Sequence, residues 1–192
     1  MNTLTNSGMS MNDIAMVGRE TNDRHDDQHK KICLIDDELM KFMSEGYLMG
    51  EECFGESSIQ FADRLMEFVS DEYIDCICYL KLARMAKTPR SRKLFKSIAV
   101  NEMQHSKQFA AAYFLITGKR YFPTKKTIGP AEVPSLYIQA LRQSYLKESR
   151  DAVKYHLFAR QCNDNCLKRM TEAASLDEKR HAQNILELIQ NI

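Results

Sequence analysis

The residues of this chain that could do chemistry together fall into one repeated pattern. Glu102-x-x-His105, in "NEMQH", sets a carboxylate and an imidazole three residues apart, and Glu178-x-x-His181, in "DEKRH", repeats the pair 76 residues later. Positions three apart share a face of a helix, so each pair can address one object. Upstream of each lies a second matching stretch, "EYIDCICYLKLAR" from Glu72 and "ESRDAVKYHLFAR" from Glu148. The offset of 76 relates Glu72 to Glu148, Asp75 to Asp151, Tyr79 to Tyr155, Ala83 to Ala159 and Arg84 to Arg160, with no insertion. A pattern that recurs with its spacing intact is far less often accidental than one short motif.

Convergence of Glu72, Glu102, Glu148 and Glu178 with His105 and His181 would bring four carboxylates and two imidazoles together. Without a cation the carboxylates repel and hold their protons; two divalent ions would cancel the four charges. Mixed carboxylate and imidazole ligation suits iron or manganese better than copper or a structural zinc site.

Whether these residues meet depends on the elements that carry them. Beyond Gly55 the only glycines are Gly118 and Gly129, and the prolines are Pro89, Pro123, Pro130 and Pro134. Breaks therefore fall at "KTPRS" around Pro89, over residues 118–134, and at "CNDNC" over 162–166, where Asn and Asp suit a helix cap. Four helices are predicted, at roughly 58–87, 90–117, 134–162 and 165–190. Leu94, Ile98, Glu102, His105, Phe109, Ala112 and Ile116 follow steps of three and four, which puts Glu102 and His105 on the apolar stripe. Buried there, they need a partner.

Heights agree as well. Glu72 to Lys87 is 15 residues and Pro89 to Glu102 is 13, a rise of about 22 Å and a return of about 20 Å. Glu148 to Asn163 and Asn165 to Glu178 give the same counts. Residues 118–134, extended at about 3.3 Å each, could run the length of a bundle of about 40 Å. The predicted fold is all-α: a four-helix bundle of two antiparallel hairpins joined by one long crossover.

Composition bounds the rest. The chain has 192 residues, 44% of them hydrophobic, enough for one domain with a sizeable core. The formal charge is +1 and no Lys/Arg block forms a stripe, so no nucleic-acid partner is expected. There is no membrane-spanning apolar run and no signal-peptide pattern at the N-terminus, so a cytoplasmic protein without a membrane partner is expected. Residues 1–30 are polar and predict a flexible extension in which His25 and His29 are solvated; 31–56 predict a segment with one short helix ending near Gly46; 57–192 predict the bundle. The six cysteines, Cys33, Cys53, Cys76, Cys78, Cys162 and Cys166, lack zinc-site spacing and read as reduced, mostly packing thiols. A redox pair of Cys162 and Cys166 is the weaker reading.

Over residues 58–190 this ligand set and its internal repeat resemble the rubrerythrin-type branch of the ferritin-like superfamily. The resemblance implies a ferritin-like bundle holding a non-haem dinuclear centre, two iron ions with manganese as the alternative. Glu102 and Glu178 would bridge or chelate, His105 and His181 would each bind one metal, and Glu72 and Glu148 would be terminal or bridging ligands. It implies reduction of hydrogen peroxide or dioxygen. Two departures stand out. No four-cysteine rubredoxin segment follows His181, so electrons are expected from a separate donor protein. Asp151 stands where the family carries an extra glutamate, and Asp75 mirrors it on the first helix. Tyr79 and Tyr155, one turn further on, are candidates to donate hydrogen bonds to ligand carboxylates or to a bound oxygen species, or else are core aromatics. Cys76 reads as packing. A homodimer is expected. The competing readings are a ferroxidase or iron-handling protein, a hydroxylase of an organic substrate, and a metal-free helical bundle.

Overall fold

A computed structural model describes residues 53–124 and 128–192. The predicted extension 1–30 and nearly all of 31–56, with His25, His29, Cys33 and the short helix expected before Gly46, lie outside the described residues. The rest forms a four-helix bundle: α1 (Ala62–Met85), α2 (Pro89–Thr117), α3 (Tyr137–Gln161) and α4 (Asn165–Gln190), preceded by a 3-10 turn over Glu56–Phe61. Among the described residues there is no strand, and no helix is long and apolar enough to cross a membrane.

Local chemistry sets the boundaries. Ala86 turns extended and ends α1, and Pro89 opens α2 at a position whose N–H has no helical partner in any case. Thr88 caps α2: its hydroxyl accepts from the Ser91 N–H at 3.1 Å while Ser91 Oγ accepts from the Thr88 N–H. Thr88→Ala is expected to cost about 1 kcal/mol of stability, read as a lower denaturant midpoint at unchanged slope. Gly118, at φ 67, closes α2 in the left-handed region. Two helix starts differ from the sequence reading. α1 begins at Ala62 because residues 56–61 wind into the tighter 3-10 turn. α3 begins at Tyr137, three residues past Pro134, because Leu136 takes an extended conformation and stands as the residue before its first turn.

Within the first pair, Phe68 meets Phe109 (5.2 Å between rings), Ser106 Oγ donates to the Val69 carbonyl (2.9 Å) and Tyr79 stacks on Phe95 (6.2 Å). Between α3 and α4, Ser175 Oγ donates to the Ala152 carbonyl at 2.7 Å. The described parts of the connection, residues 118–124 and 128–136, lie along α1. Tyr121 bonds Ser70 near its start (2.8 Å), Lys81 donates to the Ala131 carbonyl (2.6 Å), and Tyr137 reaches Phe95 (6.4 Å) at its far end. At the offset of 76, Ser70, Ile77 and Lys81 correspond to Leu146, Val153 and Leu157 on α3, which are exposed.

The chain ahead of α1 is fastened at the α3–α4 turn. Asp164, buried, caps α4 through the N–H groups of Cys166 and Leu167. Its other oxygen accepts from the Phe54 N–H (2.5 Å) and Ser58 Oγ (2.6 Å). Beside it Cys53 and Cys166 form a disulfide, with Cα atoms 5.2 Å apart. This corrects the expectation of reduced thiols throughout, and Cys166 is joined to Cys53, not to Cys162. Cys76, Cys78 and Cys162 are free. Burial pushes the Cys76 thiol up to about 12, which leaves it without thiolate character at neutral pH and in keeping with packing.

Candidate metal centre

All six residues of the repeated pattern are buried: Glu72 on α1, Glu102 and His105 on α2, Glu148 on α3, Glu178 and His181 on α4. They lie between two apolar clusters. Phe68, Phe109, Tyr155 and Phe158 anchor one, and Leu82, Phe95, Ile98 and Ile185 the other. The polar band is therefore sealed from above and below by core packing.

The donors separate into two groups. Glu72, Glu102, His105 and Glu178 offer ligand atoms all within 4.8 Å of one another, and so do Glu102, Glu148, Glu178 and His181. Glu102 and Glu178 belong to both. Each imidazole turns Nδ1 inward. His105 Nδ1 lies 3.1 Å from Glu178 Oε1, 3.4 Å from Glu102 Oε2 and 3.5 Å from Glu72 Oε2. His181 Nδ1 lies 3.0 Å from Glu102 Oε1, 3.0 Å from Glu178 Oε2 and 3.2 Å from Glu148 Oε2.

Five of these inward atoms have no hydrogen-bond partner: Glu72 Oε2, both oxygens of Glu102, His105 Nδ1 and Glu178 Oε1. A buried polar atom left unpaired costs roughly 1–3 kcal/mol, more when charged. Converging lone pairs of carboxylate and imidazole are what a divalent cation of the iron or manganese type accepts. These clusters can hold a metal ion.

Without metal the band neutralises itself. Burial raises Glu72 and Glu148 well above the carboxylate range, reinforced by the charges of Glu178 and Glu102. Burial also opposes charge on Glu102 and Glu178, but the imidazoles beside them hold both low. The same contacts outweigh burial at the rings, holding His105 well above its ordinary value and pushing His181 up to about 12. Protons thus occupy positions that a metal would take.

The candidate helpers divide. Tyr155 donates its hydroxyl to Glu72 Oε1 and Tyr79 donates to Glu148 Oε1, so each tyrosine braces a carboxylate carried by a helix of the other pair. Burial keeps the Tyr79 hydroxyl protonated. Asp75 and Asp151 are held elsewhere. Lys147 bridges them, at 2.5 Å to Asp75 and 2.7 Å to Asp151, and Lys154 joins Asp151 (2.8 Å) to Asp71 (3.1 Å). Burial still pushes Asp75 up to about 7 despite the Lys147 ammonium.

Two contacts were missed in the sequence reading. His105 Nε2 lies 3.1 Å from Asp177 Oδ2, and His181 Nε2 lies 3.3 Å from Asn101 Nδ2. Asn101 and Asp177 immediately precede the ligand glutamates at the same offset of 76, a signal that was present in the aligned motifs.

No known family profile matches the chain, and no solved structure does. The uncharacterized protein YhjR of Bacillus subtilis (strain 168) is 30% identical to it over 119 residues, which span 62% of this chain and 79% of that protein.

Proposed function

The chain belongs to the family that includes the uncharacterized Bacillus subtilis protein YhjR, and we propose that it is a non-haem dinuclear iron or manganese oxidoreductase of rubrerythrin type. It would reduce hydrogen peroxide or dioxygen with electrons from a separate donor protein. One observation carries the reading: two buried four-residue donor groups share Glu102 and Glu178. Sharing is what two ions bridged by two carboxylates require, and Glu72 with His105 and Glu148 with His181 would then complete one ion each. The contacts that pair Phe68 with Phe109 and Tyr79 with Phe95 run in opposite senses along α1 and α2, which supports antiparallel hairpins and a ferritin-like fold. A homodimer completes the proposal.

Such a metal pair supplies the two electrons that cleave an O–O bond. The protein's own groups do the rest. Glu102 and Glu178 fix the spacing of the two positions, and Tyr155 and Tyr79 orient the outer carboxylates Glu72 and Glu148. The aromatic and aliphatic clusters on either side keep bulk water from the reacting atoms.

The test is to mix reduced, iron-loaded protein with peroxide and, separately, with dioxygen. Peroxide should oxidise it faster, with iron retained; faster oxidation by dioxygen with iron released would favour a ferroxidase. A pH dependence follows from the metal-free site. Glu72, Glu148 and one nitrogen of each imidazole must lose a proton to bind metal, so metal affinity is expected to fall as pH is lowered, with proton release detectable in weakly buffered titration.

A further inference from the structure

The two halves of the centre differ just outside their ligands. "NEMQH" and "DEKRH" keep Glu and His but exchange Asn101 for Asp177 and Gln104 for Arg180. The structure crosses them: Asp177 on α4 serves His105 on α2, and Asn101 on α2 serves His181 on α4. The second oxygen of Asp177 accepts from Arg180, which fixes the carboxylate.

An imidazole whose Nδ1 faces a cation keeps its proton on Nε2 and donates it. From His105 the acceptor is a carboxylate. From His181 it is a neutral amide oxygen, presented by a half-turn of the Asn101 amide, whose two ends are nearly equal in shape. A charge-assisted hydrogen bond is about twice as strong as a neutral one. The stronger acceptor draws the proton outward and makes the ring a better donor on its inner nitrogen. We infer that Asp177 and Asn101, as positioning residues, make the two metal positions unequal, so that the position of Glu72 and His105 fills first and more tightly than that of Glu148 and His181.

The inference rests on the dinuclear reading, and the experiment separates the two. Metal-free protein is titrated anaerobically with Co(II) and followed by its visible absorption. Mutual repulsion of two ions alone can split the titration into two steps, so the variants decide. Asp177→Asn should loosen the first step about 10-fold and leave the second in place. Asn101→Asp should leave the first step in place and tighten the second by a similar factor. If Asn101→Asp tightens the first step instead, the positions were equal and the inference fails; two steps that neither variant moves overturn it too. Absence of any step in the wild-type chain would overturn the dinuclear reading itself. Asp177 is partly exposed, at 23%, so Asp177→Asn gives a folded readout should Asn101→Asp not fold.

Discussion

Glu102→Ala is expected to empty both metal positions, whereas Glu72→Ala empties one. Glu102 is common to the two donor groups, and Glu72 belongs to one. Metal analysis after loading and desalting should therefore give near zero for Glu102→Ala and about half the wild-type value for Glu72→Ala. Stability separates this loss from misfolding. Metal at 100 times its dissociation constant adds about 2.7 kcal/mol, so a chelator should lower the melting temperature of the wild type and leave that of Glu102→Ala unchanged. In the metal-free chain Glu102 lies 3.4 Å from His105 Nδ1 and 3.0 Å from His181 Nδ1 and supports the charge on both rings, so its removal leaves buried imidazolium with one counter-charge fewer and destabilises the metal-free fold as well. Metal-free Glu102→Ala is accordingly expected to melt below the metal-free wild type, and the shift that the chelator causes within each variant is the readout of metal binding.

The second large effect belongs to the fastening at the α3–α4 turn. Cys53 and Cys166 are joined across 113 residues of sequence, and removing a native disulfide typically costs about 2–5 kcal/mol. Cys53→Ser should lose that much unfolding free energy, read as a lower denaturant midpoint, and a reductant should lower the wild type to match while leaving Cys53→Ser unmoved. Asp164→Ala acts at the same place by another route. It strips two N–H groups of α4 and leaves the Phe54 N–H and Ser58 hydroxyl without their acceptor, at a cost of about 2–4 kcal/mol. Because the two sites are neighbours, the losses in Asp164→Ala and Cys53→Ser should sum to more than the double variant shows.

Much of this arrangement was legible in the sequence because it depends on local counts. Pro89 and Gly118 open and close α2 through their own backbone conformations, the Asp164 side chain in "CNDNC" caps α4, and the matching counts in the two halves, 15 and 13 residues from turn to glutamate, bring the four glutamates to nearly one height. Glu72, Asp75 and Tyr79 are all buried on α1, but only Glu72 joins the donor groups, while Tyr79 braces Glu148 across the bundle. Seven residues turn a helix through nearly two full turns, so Tyr79 stays within about 20° of Glu72, but three residues leave Asp75 about 60° aside. There it faces Lys147 of α3, a partner that no pattern within one helix could name.

The disulfide was hidden for a related reason. Cys53 and Cys166 carry no spacing signal, and their pairing depends on Asp164 drawing the chain at Phe54 against the start of α4. Asn101 and Asp177 were hidden differently. They stood inside the repeated motif, yet their role lies across the bundle on the opposite histidine, so alignment showed the pair and only the packing showed the exchange.

The most direct test of the dinuclear centre is metal content in the purified wild-type chain and in Glu102→Ala, prepared side by side. About two iron or manganese ions per wild-type chain, with near zero in Glu102→Ala at unchanged helical content, is the predicted result. A wild-type chain that stays near zero after anaerobic loading, or a Glu102→Ala chain that holds as much metal as the wild type, would contradict it.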